Sequence, residues 1–143
     1  MARLPCLGLL FVPLALLGAC KDLRQPGDGE DEIAGEGKVA VDEIDAAVMA
    51  ARLAAGEIVL VDVRTPEEFS AGHIEGAVNM PLEELDPKAV PQEAGKETVL
   101  YCRSGRRSAA AAEQMTAATG ETATHLEGGI EAWEEAGEPV VSD

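Results

Sequence analysis

From residue 39 onward, the spacing of apolar positions switches between two periods. In VAVDEIDAAVMAARLAAG (39–56), Val41, Ile44, Val48 and Leu53 recur at helix-like spacing, which predicts a helix that Gly56 can end. EIVLVDVR (57–64) is a continuous apolar, β-branched run that closes in charge, as a buried strand does. Thr65-Pro66-Glu67-Glu68 then carries the marks of a helix start: Thr65 as N-cap, Pro66 at the first helical position, Glu68 three residues on. GHIEG (72–76) reads as loop, AVNMP (77–81) as a short strand cut by Pro81, and LEELDPKAVPQEAGK (82–96) as a short helix plus loop. TVLYC (98–102) predicts a second buried strand, and RRSAAAAEQMTAATG (106–120) an Ala-rich helix stopped by Gly120. TATHL (122–126) and GGIEAWEEAGEPV (128–140) complete the pattern as strand and helix. Strands alternating with helices imply α/β architecture around a mainly parallel sheet, in which ligands bind at the carboxyl ends of the strands.

The first twenty residues follow a different rule. MARLPCLGLLFVPLALLGAC has one cation, Arg3, and then an uncharged, mainly apolar run. It is short for a membrane span, and it has the plan of a signal peptide. Leu17-Gly18-Ala19-Cys20 resembles the bacterial lipobox, which implies a signal peptide over 1–19 and lipidation of Cys20. The resulting expectation is a lipid-anchored protein of the bacterial cell envelope, with the membrane as a partner through Cys20. More than one acyl chain is needed for stable anchoring. Residues 20–38 then form a lipidated Cys and a Gly-, Pro- and acid-rich linker, whose flexible part spans roughly 23 Å. The domain proper is 39–143.

Charge narrows the classes of partner. With 27 Asp and Glu against 11 Lys and Arg, the formal net charge is -16, so nucleic acid is excluded as a natural partner. Of the three cysteines, Cys6 leaves with the signal and Cys20 is acylated. Cys102 is then the free thiol, no internal disulfide is available, and two histidines with one thiol give no metal site.

Against that acidic background, Arg103, Arg106 and Arg107 crowd around Cys102 in TVLYCRSGRRS (98–108). A strand–loop–helix turn offers free backbone N–H groups and the positive end of a helix dipole. A thiol held there beside cations is favoured as thiolate, the nucleophilic form. The pattern suits a Cys nucleophile attacking an anion. Asp62 and Arg64, ending a strand at the same sheet edge, are expected to brace the loop as an ion pair. His73 reads as structural, and His125 as a packed or surface residue. Gly128 and Gly129 are expected to permit a close approach near the loop.

DVRTPEEFSAGHIEGAVNMP (62–81), YCRSGRRSAAAA (101–112) and LEGGIEAWEEAGEPV (126–140) resemble, in order, the segments of the rhodanese (sulfurtransferase) domain family. The resemblance implies a single domain with a five-stranded parallel sheet flanked by helices, and no cofactor. It implies that Cys102 accepts a sulfane sulfur as a persulfide and passes it to a thiophilic acceptor. The substrate loop would run through Arg103, Ser104, Gly105, Arg106, Arg107 and Ser108. The partners implied are a small anionic sulfur donor, such as thiosulfate, and that acceptor. Two alternatives use the same residues. One is a non-catalytic tethered module that carries sulfur or docks a partner. The other is Cys-dependent phosphatase or arsenate chemistry, which needs Arg six places after the Cys, where this chain has Ser108.

Overall fold

The computed structural model describes residues 39–143. The signal peptide expected over 1–19, the lipidated Cys20 and the linker to residue 38 lie outside the described residues. The elements follow as β1 (Val41–Ile44), α1 (Ala46–Ala54), β2 (Ile58–Asp62), α2 (Pro66–Ala71), β3 (Val78–Asn79), β4 (Glu97–Tyr101), α3 (Arg106–Thr119), β5 (Ala123–Leu126) and α4 (Gly129–Glu135). The five strands form one sheet in the order β1-β5-β4-β2-β3, and every pairing is parallel.

Side chains of successive strand residues point to opposite faces, so each buried strand serves two cores. On one face Ile58 and Leu60 of β2 and Val99 and Tyr101 of β4 pack with Met49 of α1 and Ile130 and Trp133 of α4. On the other face Val61, Val63, Leu100 and Cys102 pack with Ala111, Ala112 and Met115 of α3. The small alanines of α3 let it lie close to the sheet. Parity alone therefore commits Cys102 to the α3 face.

Local chemistry sets the helix ends where the sequence predicts them. The Thr65 side chain accepts the Glu68 N–H while the Glu68 carboxylate accepts the Thr65 N–H, and Pro66 occupies the first turn. Gly120 ends α3 in the left-handed conformation, with its N–H donating to Thr116 O at 2.8 Å.

Two expectations are corrected. The helix read over 39–56 begins only at Ala46, because Asp45 caps it by accepting the Val48 N–H at 2.9 Å. Val41–Ile44 is instead an edge strand in register with β5, so Val41 and Ile44 belong to the sheet. Val48, assigned by spacing to a buried face, is 47% exposed. Four residues are too few to separate the two periods, and pairing with β5 decides between them. The helix expected in 82–96 is a single 3₁₀ turn at Leu82–Glu84, which Pro87 and Pro91 leave no room to extend.

Candidate active site

Cys102 is the residue after β4, at the carboxyl edge of the sheet, and is 1% exposed. Residues 103–105 arch over it before α3 starts at Arg106. The Gly105 N–H donates to Cys102 Sγ at 3.2 Å, and the Ser108 hydroxyl donates to the same sulfur at 3.6 Å. Gly105 has φ 91, a left-handed value that suits glycine, and a Cβ there would meet Gly128 N at 3.3 Å. The amide that faces the sulfur thus depends on a glycine conformation. The first N–H groups of α3 have no partner within the helix and stand at the same turn, so the dipole's positive end lies beside the thiol.

A second helix start holds the loop from behind. Ile130 N–H donates to Cys102 O at 2.8 Å, and Glu131 N–H to Arg103 O at 3.1 Å. The loop's first carbonyls therefore satisfy amides of α4, and the Gly105 N–H meets the thiol. Gly128 and Gly129 permit this approach, with φ values of 69 and 62.

The arginines are distributed unevenly. Arg107 grips Glu68 with both terminal nitrogens, at 2.7 and 2.8 Å, and Arg103 Nε donates to Glu131 at 2.8 Å. Arg106 is exposed and makes no ion pair among the described residues. Cationic charge gathered by sequence around the thiol is thus largely met by two acids that sequence distance conceals. Hydrogen bonds from Arg107 hold the Glu68 carboxyl down at about 2, against an ordinary 4.5. A depressed carboxylate stabilises the fold fully above the unfolded value, and that stability is lost as pH falls through the folded value. The contribution of this pair is therefore expected to fade between about pH 4.5 and pH 2. Chemical denaturation of the parent and Glu68→Gln across that window should show two stabilities that converge at the acid end. A gap that stays constant would contradict the pairing.

Asp62 and Arg64 form a buried ion pair, with Arg64 Nη2 at 2.6 Å from Asp62 Oδ2 and Nε at 3.0 Å from both oxygens. Asp62 Oδ1 also accepts the Arg64 N–H at 2.9 Å, and Arg64 Nη2 donates to Gly72 O at 2.7 Å. The pair thereby ties the end of β2 to the turn after α2. Tyr101, next to the nucleophile candidate, is fully buried and accepts the Ile74 N–H at 3.1 Å. Burial pushes its phenol well above the ordinary range, so it stays neutral. His73 stacks on Phe69 with centroids 3.8 Å apart and bridges to Val141.

His125 is packed, one of the two outcomes its sequence context allows. It sits in β5 on the α3 face, 4% exposed, with Nδ1 at 3.4 Å from Ser108 Oγ and Nε2 at 3.2 Å from Glu43. Neither His125 nor Glu43 stands near Cys102 in sequence. Only the β1-β5-β4 order brings them to it.

The rhodanese-like domain family model matches residues 45–136. The uncharacterized protein slr1261 of Synechocystis is 50% identical over 84 residues, covering 59% of this chain and 47% of that one. A protein named sulfurtransferase in Allochromatium vinosum is 36% identical over 103 residues, 71% of this chain and 96% of its own length. The chain thus spans about half the first relative and nearly all of the second. Among solved structures, a rhodanese-related protein of Thermoplasma volcanium is similar with TM-score 0.63 and 35% identity, over 71% of this chain and 99% of that one. A parallel five-stranded sheet, a thiol at its carboxyl edge and a family match that spans both together lead to one conclusion: the chain belongs to the rhodanese-like domain family.

Proposed function

We propose that the domain is a sulfurtransferase that carries a sulfane sulfur on Cys102. The observation that supports this most is the turn at Cys102 Sγ, where Gly105 N–H donates at 3.2 Å at the start of a 14-residue helix. Preorganised amides of this kind stabilise negative charge on sulfur without reorganising during reaction. The Cys102 thiolate attacks the outer sulfur of an anionic donor such as thiosulfate. A Cys–S bond forms, the donor's S–S bond breaks, and sulfite leaves with the electron pair. A thiophilic acceptor then attacks the outer persulfide sulfur and returns the thiolate.

The paired arginines refine the donor class. Since Arg103 and Arg107 already hold Glu131 and Glu68, recognition of the anion falls mainly to backbone amides, with Arg106 as the uncommitted cation. A thiol 1% exposed beneath its loop also favours a donor with a slim terminal sulfur. Thiosulfate meets both conditions. Phosphatase chemistry suits the geometry poorly, because Ser108 stands where the encircling Arg is needed.

Treatment of the full chain with thiosulfate under anaerobic conditions should add about 32 Da, one sulfur, to the peptide bearing Cys102. No added mass on that peptide would defeat the persulfide reading. Lipidation of Cys20 remains part of the same proposal as the means of tethering the domain at the cell envelope, and it rests on the lipobox residues alone.

A further inference from the structure

The Cys102 mechanism requires a thiolate, and a thiol at the foot of a buried turn must give its proton to something. Solvent is remote, since Cys102 is 1% exposed and Ser108 is 0% exposed. The hydroxyl of Ser108 has three neighbours: Gly105 O at 3.0 Å, Cys102 Sγ at 3.6 Å and His125 Nδ1 at 3.4 Å. His125 has an acid on its other side, with Nε2 at 3.2 Å from Glu43 Oε1. A proton on Nε2 pointing to the carboxylate leaves Nδ1 as an acceptor facing the Ser108 hydroxyl. The four side chains form one continuous line from solvent-facing carboxylate to buried sulfur.

We propose that His125 takes up the proton released by the Cys102 thiol, delivered through the Ser108 hydroxyl, while Glu43 orients the ring and holds its charge. The inference rests on Cys102 being the nucleophile. In the step, the Cys102 S–H bond breaks and its proton bonds to Ser108 Oγ. The Ser108 O–H bond breaks in turn, and that proton bonds to His125 Nδ1. Thiol and imidazole become thiolate and imidazolium, and no electron is gained or lost. The serine is unchanged in sum. Before the step its hydroxyl can rest on Gly105 O, so a rotation about Cβ–Oγ opens and closes the path. Distances of 3.4 and 3.6 Å are those of a resting site, and such bonds shorten as a reaction complex forms.

The fold builds this line deliberately. Glu43 and His125 are register partners of β1 and β5, and Leu100, two residues before Cys102, is the register partner of His125. Period-two alternation then puts Glu43, His125 and Cys102 on the face that α3 covers. Glu43 from β1 contacts the ring, and Arg106 and Glu113 from α3 and Glu127 after β5 line the surface beside it. Ser108 touches the reacting sulfur; His125 acts through it and is a positioning residue.

The test is the rate of iodoacetamide alkylation of Cys102 in the full chain, followed by the mass of the peptide bearing Cys102 across roughly pH 5 to 9. His125→Asn keeps an acceptor near the Nδ1 position but cannot take a proton. It should slow alkylation about tenfold near neutrality and leave the high-pH plateau unchanged. Ser108→Ala should do the same, and the double variant should add nothing further. Glu43→Gln, at an exposed carboxylate, should give a smaller slowing of the same shape. Folded variants whose profiles superimpose on the parent overturn the relay, as does a uniform loss at every pH. If His125→Asn fails to fold, Glu43→Gln decides by the same two criteria. A failed sulfurtransferase assignment would show differently: no sulfur uptake from thiosulfate, with the alkylation profiles still shifted.

Discussion

Cys102→Ser is expected to reduce thiosulfate:cyanide sulfur transfer by on the order of 10³-fold or more, because the proposed covalent carrier is removed. A hydroxyl has nearly the size of a thiol, and it can still accept the Gly105 N–H that Cys102 Sγ accepts at 3.2 Å. The α3-face core around Val61, Leu100, Ala111 and Met115 is otherwise untouched, so circular dichroism and thermal unfolding should match the parent closely. Steady-state turnover of the two proteins with a panel of sulfur donors checks both halves. Turnover by the serine variant within a few-fold of the parent would remove Cys102 from the nucleophile's role. A parent that takes up sulfur from thiosulfate yet barely turns over would instead favour a sulfur carrier.

The second large effect is expected at a residue without a side chain. A Cβ on Gly129 would lie 2.4 Å from Cys102 O and 2.5 Å from Arg103 O, both rigid backbone atoms. The φ of 62 adds strain for any other residue. Neither the loop nor α4 can yield alone, because Ile130 N–H and Glu131 N–H bond the same two carbonyls. Gly129→Val should therefore cost about 4 kcal/mol or more in stability by urea denaturation, at the upper end for single substitutions. It should also weaken sulfur transfer further than the stability loss accounts for, because it displaces the loop that shapes the site. The companion Gly95→Val, at a φ of 81 with open space around it, provides the control for strain without collision. Equal losses at the two positions would show that contact with the loop is irrelevant.

Most of the α/β order is legible in the chain because each buried strand is a continuous apolar run and each helix carries its own stop. Thr65-Pro66-Glu67-Glu68 and Gly120 encode their helix ends through contacts no longer than four residues. Such signals survive without knowledge of the fold. The first strand does not, since Val41 and Ile44, three residues apart, read as one face of a helix, whereas pairing with β5 makes the segment a strand that sends them to opposite faces. The same limit applies to Arg103 and Arg107. Their crowding near Cys102 is visible, whereas the acids that meet them, Glu131 and Glu68, lie 28 and 39 residues away in sequence.

Sequence alone determined the place of the thiol, at the end of a buried strand and before an Ala-rich helix, because strand, turn and helix are all local periodicities. It also determined the glycines that permit the loop, since tolerance of positive φ is a property of the single residue. The tertiary structure decided what surrounds that thiol. Strand order set Glu43 beside His125, parity turned His125 towards α3, and the first turn of α3 placed Ser108 between the ring and the sulfur. Each of these depends on which strands are neighbours, a long-range choice made by burial of two faces at once and not by any short stretch of residues.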